Sequence, residues 1–231
     1  MKSNYPLASS SWDDEEIGAI KEVVDGGMFS MGSHVREFET SFANHFDSKF
    51  CVMVNSGSSA NLLMIAALFF KKDNPLKRGD EIIVPAVSWS TTYAPLQQYG
   101  LRVKFVDVCP NTLNMDVSKF EQAVSSKTKA VFLVNLLGNC NNYEQIQRIL
   151  ENKNITPYLI EDNCESMGAK YKGIKAGSFG LMGSFSTFFS HHISTMEGGC
   201  ILTSDEEMYH ILLCIRAHGW TRNLPDKNHV T

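Results

Sequence analysis

The sequence lacks a long apolar stretch and a surplus of positive charge. Its longest apolar run, 62–70, has nine residues, whereas a helix that crosses a bilayer needs about 20, so this run is interpreted as a buried helix. The formal net charge is -4, which argues against the basic surface of a nucleic-acid-binding protein. No apolar stretch follows Met1, so the sequence predicts no secretory signal and a cytoplasmic protein.

Metal-binding patterns are also missing. The six cysteines include no Cys-x-x-Cys pair, which is a spacing typical of zinc sites. His191 and His192 are adjacent, and neighbouring side chains of an extended chain point to opposite faces. No third ligand lies at an obvious spacing from them, so the sequence predicts no metal site.

The segments that are present predict an α/β fold. Short β-branched runs alternate with helical stretches after residue 50, which favours a largely parallel sheet that is buried on both faces. Strands are predicted at 50–54, 81–85, 103–106, 130–134, 158–161, 184–188 and 199–202, and helices at 59–70, 117–123, 143–151 and 206–217.

We expect two parts in the chain. Residues 1–50 are predicted to form an N-terminal helical segment, with one amphipathic helix capped by Asp13 or Asp14 and a second helix at 35–46. Residues 51–231 are predicted to form a large ligand-binding domain. Because the chain ends in a polar stretch with no closing strand or helix, we expect a smaller C-terminal domain to be missing.

A turn of small residues lies between the first predicted strand and the next helix. It includes Gly57 and Ser58 within the segment 55–61. Such a turn presents backbone N–H groups at the positive end of the helix dipole, which suits a bound phosphate. A plain strand-to-helix turn with serine caps explains the same residues equally well.

Two other predicted strands lead into residues that suit a planar ligand. Asp162 follows the apolar segment 158–160, at the end of a parallel strand where ligands bind in open α/β sheets, and it could pair with a cationic ring nitrogen. Trp89 follows the strand 81–85 and could stack on a flat cofactor. Taken alone, Asp162 is more typical of a turn, and Trp89 is more typical of a packing residue.

In chain order, these motifs resemble the DegT/DnrJ/EryC1/StrS family of fold-type I sugar aminotransferases. The resemblance implies a three-layer α/β/α large domain with a mostly parallel seven-stranded sheet, pyridoxal 5'-phosphate as cofactor, and a homodimer with shared active sites. It implies that Gly57, Ser58 and Ser186 bind the phosphate of the cofactor. It also implies that Trp89 stacks on the cofactor ring and that Asp162 contacts the ring nitrogen. The matching residues are Gly57, Ser58, Trp89, Asp162, Glu165, Ser186 and the turn Glu197-Gly198-Gly199.

His191 occupies the place of the lysine that binds the cofactor in this family. That lysine lies five residues after the phosphate-binding serine and eight before the last glycine of the Glu-Gly-Gly turn, and the counts from Ser186 and from Gly199 both lead to His191. The nearby lysines at 170, 172 and 175 precede the strand and do not fit this spacing. The replacement argues against ordinary amine transfer to a sugar.

The sequence resembles the 3-dehydratase branch of the family, which has a histidine in this position. The segments 85–92 and 216–225 are also similar to that branch. The resemblance implies that pyridoxamine 5'-phosphate, formed with L-glutamate as amino donor, supports removal of the C3 hydroxyl from GDP-4-keto-6-deoxy-D-mannose, with release of ammonia. This chemistry belongs to the synthesis of colitose for lipopolysaccharide O-antigen. It implies that His191 acts as acid and base, since an imidazole pKa of about 6.5 leaves a neutral fraction at pH 7.

Some roles and interpretations stay open. Glu165 matches an active-site position, and His218 either approaches the sugar or glutamate or packs at the surface. A nucleotide-sugar 4-aminotransferase and a catalytically inactive binding homologue are alternative interpretations. A relative with an iron–sulfur cluster is disfavoured, because the segment 223–225, where its first cluster ligands would lie, contains no cysteine.

Overall fold

The computed structural model describes residues 9–230. Residues 1–8 and 231, which belong to the two predicted parts of the chain, lie outside this range. The helices within it are α1 Asp14–Asp25, α2 Ser33–His45, α3 Gly57–Phe69, α4 Ser90–Gln98, α5 Val117–Ala123, α6 Tyr143–Asn152 and α7 Glu206–Arg216. The strands are β1 Phe50–Val54, β2 Glu81–Pro85, β3 Arg102–Val106, β4 Thr128–Val134, β5 Tyr158–Asp162, β6 Lys170–Tyr171, β7 Ile174–Lys175, β8 Met182–Ser186 and β9 Gly199–Thr203.

The central sheet has seven strands in the order β1-β9-β8-β5-β4-β2-β3. Strand β9 runs antiparallel to both of its neighbours, β1 and β8, and the other six strands run parallel to one another. The carboxyl ends of these six strands therefore meet at one edge, where open α/β sheets bind ligands. The predicted mostly parallel seven-stranded sheet is confirmed.

Helices cover both faces of the sheet because the strand residues alternate between two cores. Ile82 and Val84 belong to the core beneath α3, α4 and α7, whereas Ile83 belongs to the core beneath α5 and α6. A third cluster joins α2 to β1, β8 and β9 through Phe42, among others. The result is a three-layer α/β/α arrangement, as expected.

The N-terminal elements agree with the predicted helices. Asp13 caps α1 by accepting from the Glu15 N–H, and the Glu16 side chain accepts in return from the Asp13 N–H. None of the α1 residues is buried. Within residues 9–230 no helix has both the length and the apolar character of a membrane span.

The predicted secondary structure differs from the structure in three places. The strand predicted at 184–188 lies two residues earlier, because it pairs with β9 only as far as Ser186, and the aromatic side chains that follow had extended the apparent strand. Helix α4 was not predicted, since it contains β-branched threonines and Pro95, all of which have low helix propensity. The small hairpin of β6 and β7 was also missed.

Candidate active site

A cavity of about 550 Å³ opens at the carboxyl edge of the sheet, and residues that follow β1, β2, β4, β5 and β8 contribute to its walls. Every predicted site residue except His218 lines it. The predicted residues in its wall are Gly57, Ser58, Trp89, Asp162, Glu165, Ser186 and His191.

Asp162 is the last residue of β5 and lies in the floor of the cavity with only 6% of its surface exposed. Its Oδ2 accepts from Asn61 Nδ2 at 2.8 Å and from Thr92 Oγ1 at 2.9 Å. Its Oδ1 accepts from the Cys164 N–H at 3.1 Å. Three donors therefore fix the orientation of this carboxylate and stabilise its negative charge.

The Gly57 turn forms a second wall, where α3 begins. The Ser56 side chain caps the Ser59 N–H at 3.0 Å, and the N–H groups of Gly57 and Ser58 begin the helix, where they have no partner within it. A Cβ on Gly57 would lie 2.6 Å from Ser186 Cβ and 2.7 Å from Cys164 Sγ. Glycine is therefore required for the close approach of this turn to Ser186.

Trp89 also lines the cavity, as the N-cap residue of α4. Its indole is 73% exposed, although large aromatic side chains are usually well buried. An aromatic face that borders a cavity without packing into the core is available to stack on a planar ligand.

His191 lies in a loop after β8 and faces the cavity, whereas His192 is exposed and does not line it. Burial lowers the pKa of His191 below its ordinary value, and the nearby Glu165 and Asp162 charges offset part of this effect. The lower pKa favours the neutral imidazole, which can accept a proton.

Glu165 connects two of the loops at this edge. Its Oε2 accepts from the Leu137 N–H at 3.0 Å, and Leu137 has a left-handed backbone with φ 52°, which is unfavourable for a leucine. The Glu165 carboxylate thus holds the turn Leu136–Gly138 after β4 in place while it contributes negative charge near His191.

His218 lies away from the cavity in this chain. It is exposed, follows α7 with a left-handed backbone, and its ring lies edge-on to the Trp220 ring, with 6.5 Å between the centroids. Its predicted role in substrate binding stays a prediction. Over residues 9–230 no group of three or more histidine, cysteine or acidic side chains is arranged to hold a metal ion.

Sequence reasoning missed the residues that support Asp162. Asn61 is buried in an otherwise apolar stretch of α3, and its Oδ1 also accepts from Ser184 Oγ at 2.6 Å. A buried amide on an apolar helix face needs a polar partner, and this was the available signal. Thr92 gave no comparable signal, because the helix that carries it was not predicted.

The cavity fits a pyridoxal-type cofactor in shape and chemistry. It combines free N–H groups at a helix start, an exposed indole, a buried carboxylate and a neutral imidazole. These groups match a phosphate, a flat ring, a protonated ring nitrogen and a proton-transfer site.

Comparison with known proteins agrees with this geometry. Residues 10–230 match the DegT/DnrJ/EryC1/StrS aminotransferase family. The chain belongs to this family. Members similar to it include GDP-4-keto-6-deoxy-D-mannose 3-dehydratases of Yersinia pseudotuberculosis, 63% identical, and of Escherichia coli, 67% identical, each over 99% of this chain and 58% of the relative.

A solved structure of this family has a similar backbone. It is GDP-4-keto-6-deoxymannose-3-dehydratase with a trapped PLP-glutamate geminal diamine, and it superposes with a TM-score of 0.95 at 66% identity over 99% of this chain and 58% of that one. The chain thus spans less than two thirds of the length of these relatives.

Proposed function

We propose that this protein contributes to a pyridoxal-phosphate-dependent 3-dehydratase that removes the C3 hydroxyl of GDP-4-keto-6-deoxy-D-mannose and forms GDP-4-keto-3,6-dideoxy-D-mannose. The observation that carries the proposal is His191 in the cavity wall, with no lysine among the described residues of the lining. An imidazole cannot form a Schiff base with an aldehyde, so this site is suited to proton transfer. The 3-dehydratase relatives support the choice of substrate.

The described side chains would hold the cofactor at three points. The N–H groups of Gly57 and Ser58, with the Ser186 hydroxyl, would bind its phosphate, and Trp89 would cover one ring face. Asp162 would keep the proton on the ring nitrogen. When bound, the cofactor would supply an amine for the sugar carbonyl and a cationic ring that accepts electrons.

His191 would accept a proton in one step and donate it in the next. Its neutral imidazole would take up a proton in the cavity, and the resulting imidazolium would deliver it to the C3 oxygen of the sugar as the hydroxyl departs. Glu165 would stabilise the imidazolium by charge and keep the Leu136–Gly138 turn in place. A single residue would thus serve as base and as acid.

The proposal extends to partners and location. L-Glutamate is proposed as the amino donor, as the PLP-glutamate adduct in the solved relative suggests. A homodimer is supported by large apolar side chains that are exposed in the segments after β2 and β4, Trp89 and Leu137 among them, because exposed apolar residues are available for protein contacts. The six free cysteines fit a reducing cytoplasm.

We also propose residues 1–50 as a helical segment and 51–231 as the cofactor-binding domain.

The test is incubation of the protein with pyridoxal 5'-phosphate, L-glutamate and GDP-4-keto-6-deoxy-D-mannose, followed by mass spectrometry of the sugar and an ammonia assay. We expect a 3-deoxy sugar together with free ammonia and 2-oxoglutarate. An amino sugar without ammonia would instead identify a 4-aminotransferase. Failure to bind either form of the cofactor would identify an inactive homologue.

A further inference from the structure

The loop that carries His191 is not anchored by burial. Residues 188–197 connect β8 to β9, and three of their large apolar side chains are about half exposed: Phe189 44%, Ile193 52% and Met196 54%. Apolar packing therefore holds this loop less firmly than it holds the core. We expect the position of His191 to depend on hydrogen bonds instead.

Two threonines close the base of this loop. The hydroxyls of Thr187 and Thr195 are 2.6 Å apart, and the Thr195 N–H donates to the Thr187 carbonyl oxygen at 2.8 Å. The Thr187 N–H donates to the Gly198 carbonyl oxygen at 2.9 Å. We call Thr187 and Thr195 the threonine clasp.

Gly198 leaves the space that the clasp needs. A Cβ at this position would overlap both Thr187 Oγ1 and Thr195 Oγ1. The glycine of the Glu-Gly-Gly turn that precedes β9 thus has a packing reason, since any larger residue would push the two hydroxyls apart.

Trp12 attaches the loop from outside. Its indole Nε1 donates to the Ser194 carbonyl oxygen at 3.0 Å, and Trp12 directly precedes the capped start of α1. A residue from the beginning of the described chain therefore holds the loop at a second point, three residues beyond His191.

We infer that Thr187, Thr195 and Trp12 are positioning residues that hold His191 in reach of the reacting atoms. The inference rests on the proposed function, because a base must lie within hydrogen-bond distance of the proton it moves. An imidazole forms no covalent bond to a pyridoxal-type cofactor, so the loop alone sets its distance. A misplacement of about 1 Å can cost about 100-fold in rate.

The test compares Thr195→Val, which removes the hydroxyl with little change in shape, with Thr195→Ser, which keeps it. We expect Thr195→Val to lower kcat for sugar dehydration by about 10- to 100-fold with KM and cofactor affinity unchanged. Thr195→Ser should recover most of the rate. Thr40→Val, an exposed threonine in α2, is the matched control and should leave kcat unchanged.

A second readout does not depend on activity. Amide hydrogen exchange, followed by mass spectrometry, should be about tenfold faster or more in residues 188–197 of Thr195→Val and of Trp12→Phe, and unchanged in α3 and β5. His191→Asn should lose turnover, yet its hydrogen exchange in residues 188–197 should be as slow as in the wild-type protein. Wild-type exchange and wild-type kcat in Thr195→Val would overturn the inference. An inactive parent chain with the expected exchange pattern would overturn the proposed function alone.

Discussion

The two sides of the cavity are built in different ways. On one side, Asp162 at the end of β5 is held by Asn61 and Thr92, all three of which are buried. On the other side, His191 lies in a loop in which three large apolar side chains are about half exposed and which is attached by a few hydrogen bonds. The wall that contains Asp162 is part of the hydrophobic core, and we call it the core wall. The wall that contains His191 is a surface loop that hydrogen bonds hold in place.

This difference explains how the chemistry of the site can change while its framework is kept. A substitution in the core wall disturbs a hydrogen-bonded network that also stabilises the fold. A substitution at position 191 changes a partly buried loop side chain that belongs to none of the core clusters, so we expect a small cost in stability. We therefore expect the fold to tolerate different residues at position 191.

The sharpest test of this contrast is His191→Asn. We expect kcat for sugar dehydration to fall by about 100- to 10,000-fold, because the acid and base are both lost. The free energy of unfolding should change by less than about 0.5 kcal/mol. Product analysis and urea unfolding measure the two effects. A variant with full turnover would show that another residue moves the proton.

Asp162→Ala should have the opposite balance. Removal of the carboxylate leaves the buried Asn61 amide and the Thr92 hydroxyl without their acceptor, so the free energy of unfolding should decrease by roughly 1–3 kcal/mol. Cofactor binding should be lost as well. Glu165→Ala, at a partly buried position in the same cavity, is the comparison variant. Equal stability of Asp162→Ala and the parent protein would contradict the description of this wall.

Gly57→Ala tests the close approach within the core wall. Its Cβ would meet Ser186 and Cys164, and this overpacking should cost about 1–3 kcal/mol and weaken binding of pyridoxal 5'-phosphate, measured by absorbance titration. Gly18→Ala is the matched control, since nothing lies within 4 Å of a Cβ there. If both variants bind the cofactor equally well, the turn has more room than we describe.

The smallest effect concerns the pH profile. Burial lowers the His191 pKa below its ordinary 6.5, so kcat/KM should rise with pH as the imidazole loses its proton, with the midpoint of the rise below pH 6.5. Glu165 raises this pKa, and Glu165→Gln should therefore move the rising limb to lower pH. Initial rates between pH 5 and 8 measure the shift. A limb that moves to higher pH would mean that Glu165 does not act on His191 by charge.

The framework of the fold could be predicted from the sequence because its signals are local. Buried runs such as 81–85 and 130–134 are apolar and β-branched, and the residues that follow strands of a parallel sheet meet at one edge. This rule predicted the position of Asp162, whereas Ser186 was identified by the resemblance to the family. His191 was found through the resemblance to the family, by counting to its lysine position from Ser186 and from Gly199.

The supporting contacts could not be predicted, because each depends on partners far apart in the chain. Asn61 and Asp162 are separated by 101 positions, and Trp12 and Ser194 by 182. No local pattern records such a pair. Helix α4 was missed for a different reason, since tertiary packing there overrides the low propensity of its residues.

The antiparallel pairing of β1 with β9 has a consequence for biosynthesis. Phe50 pairs with Thr203. During translation, β1 therefore stays unpaired until about 150 further residues have been made. The parallel strands between them can assemble earlier. The turn that begins α3 therefore lacks its neighbour Gly199 until β9 has been made, and a pause in translation before β9 would leave this turn uncovered.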